Sequence, residues 1–227
     1  YSGAKKGEIK DLQERLQLVK GNQITQNIVN RIEDIVEKYY KDKGFGNATC
    51  NVRLREDLSN KNEMFVDIVI DKHAKVKVHK IYINGNQILS DRAIKRAMKK
   101  TNENNDLLKL FSQKKFVESD YEDDLNRILD KYNEKGYRDA RITADSVVPY
   151  NDNRVDVYID VDEGKQYYIK DIHWVGNTIF PTEMLDDYLG MKPGEVYNQK
   201  MLRKRLNEDD DAVANLYMDR GLSLIHI

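Results

Sequence analysis

Val161-Asp162-Glu163-Gly164-Lys165-Gln166-Tyr167-Tyr168-Ile169-Lys170-Asp171-Ile172-His173-Trp174-Val175-Gly176-Asn177 reads as a joint between two copies of one unit. Upstream of the Glu-Gly turn, Val155, Val157, Ile159 and Val161 alternate with Asp156, Tyr158, Asp160 and Asp162, the period of a half-buried strand. A second strand is expected almost at once, on Ile169, Ile172 and Trp174. One domain therefore ends and another begins within these few residues.

The same joint occurs earlier, where Ile70-Asp71-Lys72-His73 leads into Val78-His79-Lys80-Ile81-Tyr82-Ile83-Asn84-Gly85-Asn86. Gly85 and Gly176 stand 91 residues apart. In both copies an apolar residue, Val78 or Ile169, lies three positions before the first of an alternating apolar pair. That odd spacing predicts a bulge or twist. Lys72-His73 replaces Glu163-Gly164, which predicts a differently shaped turn in the first copy. A second repeated signal is a helix stop: Tyr40-Lys-Asp-Lys-Gly44, Tyr132-Asn-Glu-Lys-Gly136 and Tyr217-Met-Asp-Arg-Gly221. The glycine can take a left-handed conformation, the preceding base suits the negative helix end, and the tyrosine lies one turn back to pack.

The order in each unit is strand, helix, helix, strand, strand. In the first, covering 1–74, most of the first strand is missing, with Tyr1 to Ala4 its tail. Helices follow over Glu8 to Val19 and after Thr25 as N-cap, then strands Ala48 to Leu54 and Met64 to Asp71. The second unit, 75–163, is complete, with helices from Ser90 and along Val117 to Tyr132, and a hairpin of Ala140 to Val148 with Arg154 to Asp162. Between its helices, Leu107 to Phe111 is expected to form an extra packed turn. The third, 164–227, is expected to be truncated or finished with foreign residues. It has a helix near Thr182 to Leu189, a longer one through Leu202 to Tyr217, and a possible strand over Gly221 to Ile227.

Composition narrows the function. Thirty-eight basic against thirty-nine acidic residues give a net charge of −1, which removes the strongest electrostatic reason to expect nucleic-acid binding. Tyr82, Tyr158, Tyr167 and Tyr168 are candidates to line a sheet, yet two consecutive helices break the order of an RNA-recognition fold. The lysine clusters around Lys72 to Lys80 and Lys95 to Lys100 read as solvated faces. Nothing assembles a catalytic or cofactor-binding site. His73, His79, His173 and His226 are scattered, so no metal centre is expected. Gly44-Phe45-Gly46 follows a helix and lacks a phosphate cradle's ending. The acidic runs Glu118 to Asp124 and Glu208 to Asp211 are expected on helix surface. Cys50, the single cysteine, is expected to be a packed side chain. No run approaches the ~18 apolar residues of a membrane span and no signal peptide opens the chain. The sequence is therefore expected to be a fragment whose membrane part lies outside it.

Val161-Asp-Glu163-Gly164, followed by Tyr167, Ile169, Ile172, Trp174 and Gly176-Asn177, resembles the repeat joint of POTRA domains, the soluble modules preceding the β-barrel of BamA-type (Omp85) outer-membrane proteins. The fold expected on both grounds is α+β, tandem repeats each with a three-stranded mixed sheet covered by two helices. If the last strand is central, the second lies at an edge and can accept another extended chain. The candidate edges are Thr49-Cys50-Asn51-Val52-Arg53-Leu54 and Arg141-Ile142-Thr143-Ala144-Asp145-Ser146-Val147. The joints are Asp71, Lys72, His73, Ala74 and Lys75, and Asp162, Glu163, Gly164 and Lys165.

The resemblance implies a periplasmic region of a Gram-negative outer-membrane protein, without enzymatic activity. Its implied partners are unfolded outer-membrane β-barrel proteins bound by β-augmentation, accessory lipoproteins of the assembly complex, and a C-terminal membrane barrel of the same chain. The alternative is a structural scaffold of another cell-envelope complex, for division or secretion, binding one fixed partner.

Overall fold

A computed structural model describes residues 1–60, 62–103 and 115–222. The expected turn at Leu107 to Phe111 lies outside the described residues, as does most of the expected last strand. The fold divides into two compact units: residues 1–81 with 100–123 and 147–157, and residues 82–99 with 124–146 and 158–227.

In the first unit, α1 (Lys6–Leu16) and α2 (Gln26–Lys41) precede the hairpin of β1 (Thr49–Glu56) and β2 (Met64–Asp71). The helices bury Leu12, Leu16, Ile32, Val36, Tyr39 and Tyr40 against Ala48, Cys50, Ile68 and Ile70 of the hairpin. Residues on one strand face and one stripe of each helix thus make a single core. Helix α1 ends earlier than expected, because Gln17 turns left-handed at φ +47°, and Val19 is left exposed. Thr25 caps α2 as expected, its hydroxyl accepting from the Ile28 N–H at 3.4 Å. Ser2 pairs in parallel with Val69, donating to the Ile68 carbonyl at 2.8 Å and accepting from the Ile70 N–H at 3.0 Å. This is the strand tail read from the sequence, on the side of β2 away from β1.

The second sheet comprises β3 (Lys77–Asn84), β4 (Arg141–Asn151) and β5 (Arg154–Asp162) in the order β3-β5-β4. Strand β5 is therefore central and β4 lies at an end. Its apolar residues Val157, Ile159 and Val161 are buried. The expected irregularity in β3 is present: Val78 and Ile81, three apart, are both buried. The Lys80 N–H donates to the Asp156 carboxylate at 3.1 Å and the Ile81 N–H to Glu103 at 2.8 Å, so side chains take backbone donors at the irregularity. Helix α3 (Asp91–Ala97) is capped by Ser90, and α4 (Glu118–Asn133) ends at the second helix stop.

In the third repeat α5 (Thr182–Leu189) forms as expected, and Leu185 and Leu189 pack with Phe180, Met191 and Val213. Two expectations fail there. Ile169, Ile172 and Trp174 pack on this core without forming a strand: Ile169 exchanges backbone bonds with Glu195 at 2.8 Å and Gly194 at 2.7 Å beside a Tyr168–Val196 bridge, and among the described residues this pairing does not reach Ile172 or Trp174. The long second helix is also broken. After α6 (Gln199–Arg203) the chain passes through a π-helical turn, Lys204–Glu208, and resumes as α7 (Val213–Met218). Clustered carboxylates repel along a continuous helix. Here Asp211 turns out to Arg205 at 2.8 Å, while Asn215 donates to the Asp209 and Asp210 carbonyls at 3.1 and 3.0 Å.

The helix stops are one structure three times. Gly44, Gly136 and Gly221 have φ +86°, +85° and +73°. The N–H one residue beyond each glycine reaches back to the carbonyl of Tyr40, Tyr132 or Tyr217, at 3.0 Å in every copy. That bond closes the helix end. Tyr40 and Tyr132 are fully buried, and Tyr217 packs edge-on against Phe180 with ring centroids 4.9 Å apart.

Candidate strand-edge interface and repeat joints

Both sequence-predicted edges are strands with an outer side. Among the described residues β1 pairs with β2 alone, in a register that sets Cys50 opposite Ile70 and Val52 opposite Ile68. Thr49, Asn51, Arg53 and Leu54 are exposed, Val52 is half-buried and Cys50 is buried. The Cys50 N–H donates to Glu37 Oε1 at 3.2 Å and the Val52 N–H to Glu33 Oε1 at 2.9 Å. Both carboxylates come from α2. Burial, with the negative charges of Glu33 and Glu37 added, pushes the Cys50 thiol up to about 12. It stays protonated at neutral pH and is poorly suited to act as a nucleophile.

On β4, Ile142 and Val147 are half-buried, whereas Arg141, Thr143, Ala144, Asp145 and Ser146 are exposed. Arg141 pairs with Asp162 at 2.5 Å, and the Thr143 hydroxyl donates to the Asp160 carbonyl at 3.2 Å. These contacts tie the strand to β5 through side chains.

The two joints share a backbone pattern that sequence reading missed. The Val76 N–H donates to the Gly44 carbonyl at 3.0 Å, and the Tyr167 N–H to the Gly136 carbonyl at 2.8 Å. The carbonyls of Val76 and Tyr167 in turn accept from Phe116 at 2.8 Å and Tyr197 at 2.9 Å. Gly44 and Gly136 thus also receive the chain just past each joint. A Cβ on Gly44 would lie 2.4 Å from the Lys115 side chain, and one on Gly136 2.5 Å from Val196. The signal available in the sequence was the near-constant interval between each glycine and the residue after its joint. Tyr167 serves this joint, its hydroxyl on Asp139 at 2.5 Å, while Tyr168 forms an antiparallel bridge with Val196 and donates its hydroxyl to Gln166 at 2.8 Å. Tyr82 and Tyr158 do stack on the second sheet, 4.8 Å apart.

The first joint turns as the second does, against expectation. His73 takes φ +51° where Gly164 has φ +66°. The carboxylate two residues back holds each N–H: Asp71 that of His73 at 3.1 Å, Asp162 that of Gly164 at 3.2 Å. Ala74, Lys75 and Lys165 are exposed, with the Lys75 ammonium 5.2 Å from the centre of the Phe45 ring.

The change from Glu163 to Lys72 is matched elsewhere in the first unit. Tyr132 donates to Glu163 at 2.9 Å; its counterpart Tyr40 donates at 3.2 Å to Glu8, which also binds Lys72 at 2.6 Å and the Lys5 N–H at 2.7 Å. The carboxylate has moved from the joint to α1. Burial pushes the Glu8 carboxyl up, but Lys72, the Lys5 N–H and Tyr40 outweigh it and hold it below its ordinary range. Lys72→Glu sets two half-buried carboxylates together and is expected to cost about 2–3 kcal/mol. Urea unfolding followed by circular dichroism measures the loss, and adding Glu8→Gln restores part of it. No loss in K72E would contradict the pairing.

Among the described residues no group of three or more His, Cys, Asp or Glu is arranged to hold a metal. His79 bonds Asp156 at 2.8 Å and stacks on Tyr150, with 3.7 Å between ring centres. No helix among the described residues is long and apolar enough to cross a membrane.

These features can be set beside known proteins. The POTRA family model, described as a surface antigen variable number repeat, matches residues 76–164 and 167–225. The outer membrane protein assembly factor BamA of Neisseria meningitidis serogroup B is 28% identical over 173 residues, 74% of this chain and 22% of that protein. A putative outer membrane protein assembly factor of Treponema pallidum is 24% identical over 216 residues, 93% of this chain and 24% of that protein. The chain thus spans about a quarter of the length of these relatives. Among solved structures, POTRA3-5 of Haemophilus influenzae BamA aligns over 88% of this chain and 77% of that one, with 18% identity and a TM-score of 0.47. With the family model matched over more than half its length, and the helix stop and joint repeated along it, the chain belongs to the POTRA family.

Proposed function

We propose that this chain is the periplasmic part of a factor that assembles β-barrel proteins into the outer membrane, built of POTRA repeats over 1–74, 75–163 and 164–227. It holds unfolded barrel precursors by β-augmentation and catalyses no reaction. Accessory lipoproteins dock on repeat surfaces, and a C-terminal membrane barrel follows in the same protein. The observation that carries this reading is the sheet order β3-β5-β4, in which β4 is an end strand. An end strand presents backbone donors and acceptors whatever its side chains. A handler of many precursors needs that tolerance.

The test is an NMR titration of the full chain with peptides from unfolded outer-membrane β-barrel proteins. Shifts concentrated on Arg141 to Val147 are the expected result. No shift on any strand at millimolar peptide would overturn precursor binding and leave the fixed-partner envelope scaffold as the better reading.

A further inference from the structure

The two edges differ in a way the repeat makes visible. In an antiparallel pair, alternate residues of a strand turn their N–H groups toward the partner or away from it. Cys50 and Val52 are two residues apart on β1, and their N–H groups are held by Glu37 and Glu33 of α2, at 3.2 and 2.9 Å. These are the donors an added strand would use. Glu37 is itself steadied by Lys41, one turn on, at 3.3 Å.

Glu33 and Glu37 stand 11 and 7 residues before the helix-stop Gly44. The same positions before Gly136 are Leu125 and Leu129, both half-buried. The strand positions matching Cys50 and Val52 are Ile142 and Ala144. A leucine offers no acceptor, so the second repeat cannot hold its edge donors in this way.

We propose that Glu33 and Glu37 are a built-in plug: their carboxylates occupy the places of an incoming strand's carbonyls, closing β1 to strand addition. The repeat with leucines at those positions, edged by β4, is the one that accepts an extended chain. Entry at β1 requires breaking two charge-assisted bonds and rehydrating both carboxylates before any new bond forms. The choice of β4 rests on the β-augmentation reading above, whereas the plug itself does not.

The experiment is amide hydrogen exchange by NMR on the full chain, followed by titration with the same barrel-protein peptides. Glu33→Ala is expected to speed exchange at Val52 about tenfold or more, and Glu37→Ala that at Cys50, each leaving the other amide slow. E33Q/E37Q, which keeps an acceptor at both positions, should retain most of the protection. Unchanged exchange at Val52 and Cys50 in the alanine variants would overturn the plug. With peptide, wild type should shift on β4 alone and E33L/E37L on β1 as well. Equal shifts on β1 and β4 in wild type would overturn the closure. Loss of protection in the alanine variants with no peptide shift on either strand would uphold the plug and overturn the precursor reading.

Discussion

Gly85→Ala is expected to destabilise the second repeat by at least ~3 kcal/mol, far more than the same change at the matching Gly176. Gly85 has φ +82°, and a Cβ built on it lies 2.0 Å from the carbonyl oxygen of Val161. That oxygen belongs to the central strand β5, and the Val161 side chain is buried. Backbone so placed cannot swing aside as a side-chain tip can. Gly3 repeats the arrangement, with φ +83° and its Cβ position 2.0 Å from the Ile70 carbonyl oxygen. Gly176 shares the left-handed backbone at φ +79°, yet among the described residues nothing lies within 4 Å of its Cβ position. Gly176→Ala should therefore show only the left-handed penalty of about 1–2 kcal/mol. The comparison separates conformational strain from collision. Urea unfolding followed by circular dichroism gives both losses, and a G85A loss no larger than that of G176A would rule out the close approach.

What the sequence reveals and what it conceals divide along physical lines. The helix stops were legible because tyrosine, base and glycine act within one turn, and the three copies share a left-handed glycine and one backbone bond. The hairpin strands were legible because a half-buried strand carries its own period of two. Segment 169–174 shows the limit. Its apolar spacing suits a strand, but strandhood needs a partner: among the described residues Ile169 bonds the backbone of Gly194 and Glu195, the Trp174 indole donates to Asp186, and Ile172 is held by apolar packing. The joint at Lys72-His73 shows a second limit. A residue change predicted a changed turn, but His73 keeps the left-handed backbone and Glu8, 64 residues away, restores the carboxylate. The edges themselves followed from topology. Whether their donors are free depended on Glu33 and Glu37, whose bonds to Val52 and Cys50 cross 19 and 13 residues and leave no local pattern.

Glu163→Ala is expected to cost on the order of 3 kcal/mol at neutral pH, and Glu163→Gln about 1 kcal/mol, both costs shrinking as the pH falls and wild type loses the contribution of Glu163. Glu163 is 9% exposed. Its carboxylate accepts from the backbone N–H groups of Gln87 at 2.9 Å, Ile88 at 2.9 Å and Leu89 at 3.5 Å, and from the Tyr132 hydroxyl at 2.9 Å. One side chain thus gathers the loop entering α3, the end of β5 and the end of α4. Alanine leaves those donors without their acceptor, whereas glutamine keeps one acceptor oxygen. Burial pushes the Glu163 carboxyl up, but the Ile88 N–H, the Tyr132 hydroxyl and the N–H groups of Gln87 and Leu89 outweigh it, and the net direction is down. A carboxyl lowered on folding adds stability above its unfolded value, near 4.5, and that stability is lost as pH falls through the lower folded value. Wild type should therefore lose more stability than E163Q between neutral pH and pH 3. The difference between the two proteins isolates Glu163 from Glu8 and the other carboxylates, which both retain. Parallel stability curves for wild type and E163Q over that range would show that the charge on Glu163 contributes nothing to the joint, and that its acceptor oxygens alone matter.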